Sequence, residues 1–172
     1  MATTCELIAK NVLTGTAADV TFSTIPATYD DLWLVCSIRS NRAALEAAMG
    51  LRVNGDTGNN YSWRRLQGSG SAASSSSGSS QSDIFIGAAA ANTSTADTFS
   101  SLEIYIPNYA GSTNKSVSST NCHETNGSQA FITAVAGLWS SGSAITSVTV
   151  RDADSANFIA DSSFYLYGIK KA

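Results

Sequence analysis

The chain has 172 residues, enough for one domain with a hydrophobic core, and only 13% of them are charged, about half the share usual in soluble proteins. The net charge is −3 and the lysines and arginines are scattered, which excludes the basic stripe that nucleic-acid binding requires. No segment approaches the roughly 18 apolar residues of a membrane span, and the N-terminal MATTCELIAK lacks the basic and apolar regions of a signal peptide, so we expect no membrane partner and synthesis in a cytoplasm.

Short segments in which apolar and polar residues alternate recur along the chain and predict β-strands. Turn-forming residues separate them, and no helix-length segment lies between successive strands, which argues against a parallel α/β sheet. We therefore predict an all-β protein, an antiparallel β-sandwich that is jelly-roll-like, with about ten strands in a single domain over residues 1–172. The predicted strands are 4–13, 20–25, 31–40, 47–53, 61–67, 82–90, 98–106, 114–123, 130–138, 144–151 and 163–170.

The third predicted strand has apolar residues on both of its faces. Leu32, Leu34 and Cys36 point one way, whereas Trp33 and Val35 point the other way. We expect the hydrophobic core to cover the first row and a partner or a loop to cover the second.

The segment LRVNGDTGNNYSWRRLQG, from Leu51 to Gly68, reads as a strand, an Asn-Gly turn and a second strand that pairs back on the first. A tract of serine and glycine follows it. We predict that this tract, residues 68–82, is a flexible loop between two strands.

Few residues offer site chemistry. His123 is the single histidine, no second metal ligand accompanies Cys122 at the required spacing, and Glu103 lacks a partner carboxylate. The loop with Asn54 and Asp56 has too few acidic residues for calcium. We therefore predict that the protein is not an enzyme and has no catalytic residue, cofactor or metal.

Two tryptophans are the best candidates for contact with a partner. Trp63 follows a loop and Trp139 ends a predicted strand, whereas most aromatic residues in strands belong to a core or a subunit interface. We predict a possible partner or glycan contact formed by Trp63, Trp139, Asn54, Asp56, Asn59 and Asn60.

Several segments together resemble a family of small virion structural proteins of tailed bacteriophages. The segments are FSTIPATYDDLWLVCSIRS, LRVNGDTGNNYSWRRLQG, LWSSGSAITSVTV and the ending SSFYLYGIKKA, and their spacing covers almost the whole chain. The resemblance implies a jelly-roll-like domain that acts as a homotrimer, placed on a capsid as a decoration (cement) protein or at the end of a head or tail fibre. It carries over no catalytic residue.

Two functions remain open at this point. The first is a capsid decoration protein on the outer surface of the virion, made in the host cytoplasm, that bridges major capsid subunits. The alternative is a receptor-binding fibre tip that adheres to host surface glycan. The chain has no repeats, heptads or long N-terminal arm for a fibre shaft, which favours decoration.

Overall fold

The computed structural model describes residues 4–126 and 130–170, and within these ranges it is all-β. Residues 1–3, 127–129 and 171–172, which the one-domain prediction includes, lie outside the described residues. The described part contains twelve strands: β1 (Cys5–Val12), β2 (Asp19–Phe22), β3 (Asp31–Ile38), β4 (Glu46–Val53), β5 (Tyr61–Gly68), β6 (Ala73–Gln81), β7 (Ile84–Ala90), β8 (Ser100–Ile106), β9 (Lys115–His123), β10 (Phe131–Trp139), β11 (Val148–Asp152) and β12 (Ser163–Ile169).

The strands form two antiparallel sheets of unequal width. The large sheet has the order β1-β12-β3-β8-β9-β10-β5-β6, and the small sheet has the order β2-β11-β4-β7. The pairs β1–β12, β2–β11, β3–β8 and β4–β7 are nested, because each pair lies further inward along the chain than the one before it. Eight strands arranged in this way over two sheets make a jelly roll.

Two inserted hairpins widen the large sheet beyond this jelly roll. The chain inserts β5 and β6 between β4 and β7, and it inserts β9 and β10 between β8 and β11. The four inserted strands continue the large sheet past β8 as β9-β10-β5-β6. The large sheet is therefore twice as wide as the small one.

The core lies between the two sheets and follows the period-two pattern of each strand. The inward row of β3 that the sequence predicts, Leu32, Leu34 and Cys36, is buried. Burial raises the pKa of the Cys36 thiol to about 12, so this cysteine is an inert core residue. Large side chains that fill the same core include Met49, Leu51, Ile84, Ile86, Leu102, Ile104, Phe158, Phe164 and Leu166.

Predictions for the fold class and for most strands are confirmed, and the structure corrects two others. The tract predicted as a flexible loop at 68–82 contains β6, which pairs with β5 from Ala73 opposite Gly68 to Gln81 opposite Tyr61. The predicted hairpin across Asn54 and Gly55 is also wrong. There the chain leaves β4 in the small sheet and enters β5 in the large sheet, so the two strands do not pair.

A buried arginine ties a long loop to the sandwich. The Arg39 guanidinium, 6% exposed, donates to the carbonyl oxygens of Thr95 and Thr98 at 2.8 Å, of Ala91 at 3.0 Å and of Ser94 at 3.3 Å. These four acceptors belong to the connection between β7 and β8. Since a buried carbonyl without a donor is costly, Arg39 stabilises this connection.

We predict that Arg39→Met lowers the free energy of unfolding by about 3 kcal/mol, because several buried carbonyls lose a charged donor. Urea denaturation of the purified protein measures this change. The matched control is Arg64→Met, since Arg64 is exposed and its guanidinium donates to the neighbouring Trp63 carbonyl; we expect its effect to stay within about 0.5 kcal/mol. Equal effects of the two substitutions would contradict this role for Arg39.

Candidate interaction face

The face of the large sheet that points away from the small sheet is uncovered by any other element of the described chain. We call it the outer face and define it by two rows of residues that are aligned across all eight strands. The first row runs Leu7, Tyr167, Trp33, Tyr105, Ser118, Ala136, Arg64 and Ser77, and the second runs Lys10, Tyr165, Val35, Glu103, Thr120, Ala134, Leu66 and Ser75. Arg64, Lys10 and Glu103 are the charged members of these rows.

Aromatic rings crowd the half of the outer face formed by β12, β3 and β8. Trp33 lies between Tyr167 and Tyr105 in register, and its ring centroid is 5.7 Å from that of Tyr167. The Tyr105 hydroxyl donates to the Asp31 carboxylate at 2.5 Å, and this bond together with partial burial raises the pKa of Tyr105. The rings are therefore held in place, and they present apolar area that no loop covers.

The other half of the outer face carries aliphatic side chains on the inserted strands. Leu66 on β5 and Ile132 on β10 are each 61% exposed, and Leu66 lies opposite Ala134. A hollow of about 380 Å³ beside Leu66 is lined by Ala134, Ala136 and the two neighbouring arginines. Adjacent exposed apolar side chains on a flat sheet are typical of a protein–protein contact.

The structure places the predicted contact loop at one end of the sandwich, away from the outer face, and most of its polar groups bond within the protein. The Asn54 amide donates to the Ala144 carbonyl at 2.8 Å and accepts from Thr146 N at 2.8 Å. The Asp56 carboxylate accepts from Asn60 Nδ2 at 2.9 Å and from Gly58 N at 2.8 Å. Asn59, also in the predicted set, is exposed.

The two predicted tryptophans lie on strands beside this loop, Trp139 buried on β10 and Trp63 half-buried on β5. Trp139 is 3% exposed, and its indole N–H donates to Asp56 at 2.7 Å, which contributes most to the lowered pKa of that carboxyl group. Trp63 faces inward against Phe85, with ring centroids 5.4 Å apart. Its ring also lies over Gly78 of β6, where an added Cβ would come within 2.7 Å of the indole. Both tryptophans thus have structural roles, and the predicted partner or glycan contact stays a prediction.

The sequence points to Trp33 on the second face of β3 but does not place Tyr105 or Tyr167 beside it. The sequence does contain a signal for an apolar outer face, because the second row of β3 is apolar although the first row already supplies the core. The structure brings Trp33, Tyr105 and Tyr167 into one row because β3 is flanked by β8 and β12. That pairing order is a long-range property that local patterns do not contain.

A polar cavity of about 140 Å³ lies where the inserted strands meet the small sheet. Its wall includes Arg42, Glu46, Arg65 and Asp154, together with Gln67, Thr133, Phe85 and Phe131. The Arg65 guanidinium carbon lies 5.0 Å from the centre of the Phe85 ring, and the buried Arg65 Nε has no hydrogen-bond partner. An unpaired buried donor in a polar cavity marks a place for ordered water or another polar occupant.

His123 is buried beside this cavity, and neither ring nitrogen has a hydrogen-bond partner among residues 4–126 and 130–170. It is 3% exposed, packs edge-on against Phe131, and its Nε2 is 3.8 Å from a Glu46 carboxylate oxygen. Burial lowers its pKa, and the nearby Glu124 carboxylate opposes that shift. The imidazole is therefore neutral at pH 7 and serves as a core side chain. Within the described ranges no group of three metal-ligating side chains is found.

Comparisons with known proteins leave the family open. No family model matches the chain, and no curated protein matches it. The crystal structure of the Caenorhabditis elegans galectin LEC-6 is similar at 10% sequence identity over 98% of this chain and 96% of that chain, with a TM-score of 0.35. A TM-score of this size supports no inference about function. In the part of the chain that is described, no helix is long and apolar enough to cross a membrane.

We predict that His123 makes the protein less stable in mild acid. Because its folded pKa is lowered from 6.5, the unfolded chain binds a proton first as the pH falls below about 6.5, and the free energy of unfolding then drops by up to about 1.4 kcal/mol per pH unit. Urea midpoints between pH 7 and pH 5 measure this slope.

The comparison variant is His123→Leu, which fills the site without a titrating group. Glu46 and Glu124 are the carboxylates near the imidazole, and both proteins retain them. The difference in stability between the two should therefore move in favour of the variant as the pH falls. A difference in free energy of unfolding that stays constant between pH 7 and pH 5 would contradict the prediction that His123 lowers stability in mild acid.

Proposed function

We propose that the chain is a bacteriophage virion structural protein, a capsid decoration protein that acts as a homotrimer and bridges major capsid subunits. The observation that carries this proposal is the uncovered outer face. The opposite face of the sheet already forms the core. On the outer face, six of the eight strands present aromatic or aliphatic side chains in register, β9 and β6 present serine and threonine, and few charges lie among them. Such a face suits burial against other protein surfaces.

The physical mechanism follows from the composition of the face. A weakly charged protein gains little from electrostatic capture, so association depends on apolar area, shape and hydrogen bonds. A shell offers many equivalent sites, and contacts made simultaneously by several subunits of an oligomer add up to large avidity. Modest single contacts across neighbouring capsid subunits would then stabilise the shell.

A specific observation also favours the alternative, a fibre tip that adheres to host surface glycan. The aromatic residues Tyr167, Trp33 and Tyr105 form one line, in which Tyr105 is exposed and the other two are half-buried, and Asp31 bonds to the hydroxyl of Tyr105. This row replaces the loop near Trp63 and Trp139 as the place where a sugar would stack. Decoration remains the first proposal because the aliphatic half of the face has no comparable use in sugar binding.

Particles prepared without this protein provide the test. Purified protein added back should bind them and raise their resistance to heat, and electron cryomicroscopy of intact particles should show density across the whole shell. Density at the tail or at one vertex, with binding to host cells, would favour the fibre alternative. Failure to bind any part of the particle would overturn both.

We predict that Leu66→Asp combined with Ile132→Asp weakens shell binding about tenfold or more, because two exposed apolar contacts become charged. Both side chains are 61% exposed, so the fold should tolerate the change. Thr21→Asp is the matched control, since Thr21 is exposed on the small sheet, away from the outer face. Quantitative binding to depleted particles measures the effect, and equal affinities for both variants would exclude this half of the face from the interface.

A further inference from the structure

We propose that the free edge of β6 pairs with β6 of a second copy of this chain, antiparallel about a two-fold axis, so that two large sheets become one continuous sheet. This contact uses the main-chain edge of β6 rather than the side chains of the outer face, and it goes beyond the proposed virion function. It is a main-chain interface, in which unpaired N–H and C=O groups of one strand bond to those of the other.

The other edge strands of the sandwich each have a feature that discourages pairing. β1 carries the charged Glu6 and Lys10 and a register shift between Leu7 and Ala9. β2 has four residues, and β7 packs against β9 and β10 of the wider sheet. Charges, bulges, short length and coverage are the means by which natural sheets protect their edges.

β6 has none of these protections over its first half. It is nine residues long, contains no charged residue and no proline, and pairs with β5 on one side only. From Ala73 to Ser77 it stays in regular register with β5, and its side chains are small and exposed. The irregular part, where Ser80 has a φ of 53°, lies at the other end, beyond Gly78.

The partner that this edge fits best is another copy of itself. The regular part pairs with its own copy when Ser75 lies on the two-fold axis, which sets Ala73 against Ser77 of the second copy and leaves both irregular ends outside the paired region. No charge repels across such a contact, because β6 carries none, and small side chains allow the backbones to approach. Pairing between two β1 edges would instead place the bulge and the charged side chains of β1 at the contact.

The proposed register places a testable distance at the two-fold axis. Directly opposite residues in an antiparallel pair have Cα atoms about 4.5–5.5 Å apart, within the range that a disulfide spans. In a background with the exposed Cys5 and Cys122 replaced by serine, Ser75→Cys should form a covalent dimer under mild oxidation. Ser23→Cys, exposed just after β2, is the control and should not.

Two solution measurements complete the test. Amide hydrogen exchange in β6 should slow as protein concentration rises, and Ser75→Lys, which sets two lysines opposite each other, should weaken self-association about fivefold or more. Ile132→Asp, on β10 and therefore not on a strand that borders the contact, should leave β6 pairing unchanged, which separates this contact from the proposed outer-face interface. A chain whose β6 amides exchange equally fast at every concentration, and whose Ser75→Cys variant stays uncrosslinked, would overturn the proposal.

Discussion

The unequal width of the two sheets is the constraint on which the other features of the structure depend. Eight strands of the large sheet face four strands of the small one, so the small sheet can cover only part of its partner. The inward side chains along one aligned row become smaller or more polar as the small sheet covers less of the large sheet. They change from Leu102 through Asn121 and Thr133 to Gln67 and Ser74 as the row passes from β8 to β6. Burial, and the stabilisation that comes with it, therefore declines across the inserted strands.

Asn121 and Gly87 lie where the well-covered part of the large sheet meets the inserted strands, which the small sheet covers less. Gly87 has a φ of 134°, and an added Cβ there would lie 2.5 Å from the Asn121 side chain, so β7 can approach β9 closely at this point. Asn121 Oδ1 accepts from Ala88 N at 3.0 Å, and Nδ2 donates to the Ser101 carbonyl at 3.0 Å. This buried amide satisfies main-chain groups where a bulge interrupts the pairing of β4 with β7. Past Asn121 the small sheet no longer covers the large sheet fully. The polar cavity lined by Arg65 lies there, with His123 beside it.

Strands and the two faces of each strand can be predicted from period-two patterns in the sequence. Features that depend on the pairing order of strands or on distant contacts cannot. The two faces of β3 are readable because Leu32 and Leu34 alternate with Trp33 and Val35. Asn54 and Gly55, both with positive φ, form the turn that their residue types favour, yet the turn leads to the other sheet because β5 begins the hairpin that is inserted into the large sheet. The serine tract forms β6 through main-chain bonds to β5, which its low intrinsic strand preference does not reveal. The structural roles of Trp63 and Trp139 are determined by packing partners that lie far away in the sequence.

The two exposed surfaces differ in how they select a partner, and the low charge of the chain makes that difference important. The outer face offers apolar area, which is non-directional, so its specificity has to come from the fit of the aromatic and aliphatic rows to a complementary surface. The edge of β6 offers main-chain groups in a fixed direction and spacing, which select for an extended strand whatever its sequence. With a net charge of −3, long-range repulsion between copies opposes either contact only weakly. A chain that meets its neighbours through one directional and one non-directional surface can join them in two independent ways, and a layer built from many copies requires at least two such contacts per subunit.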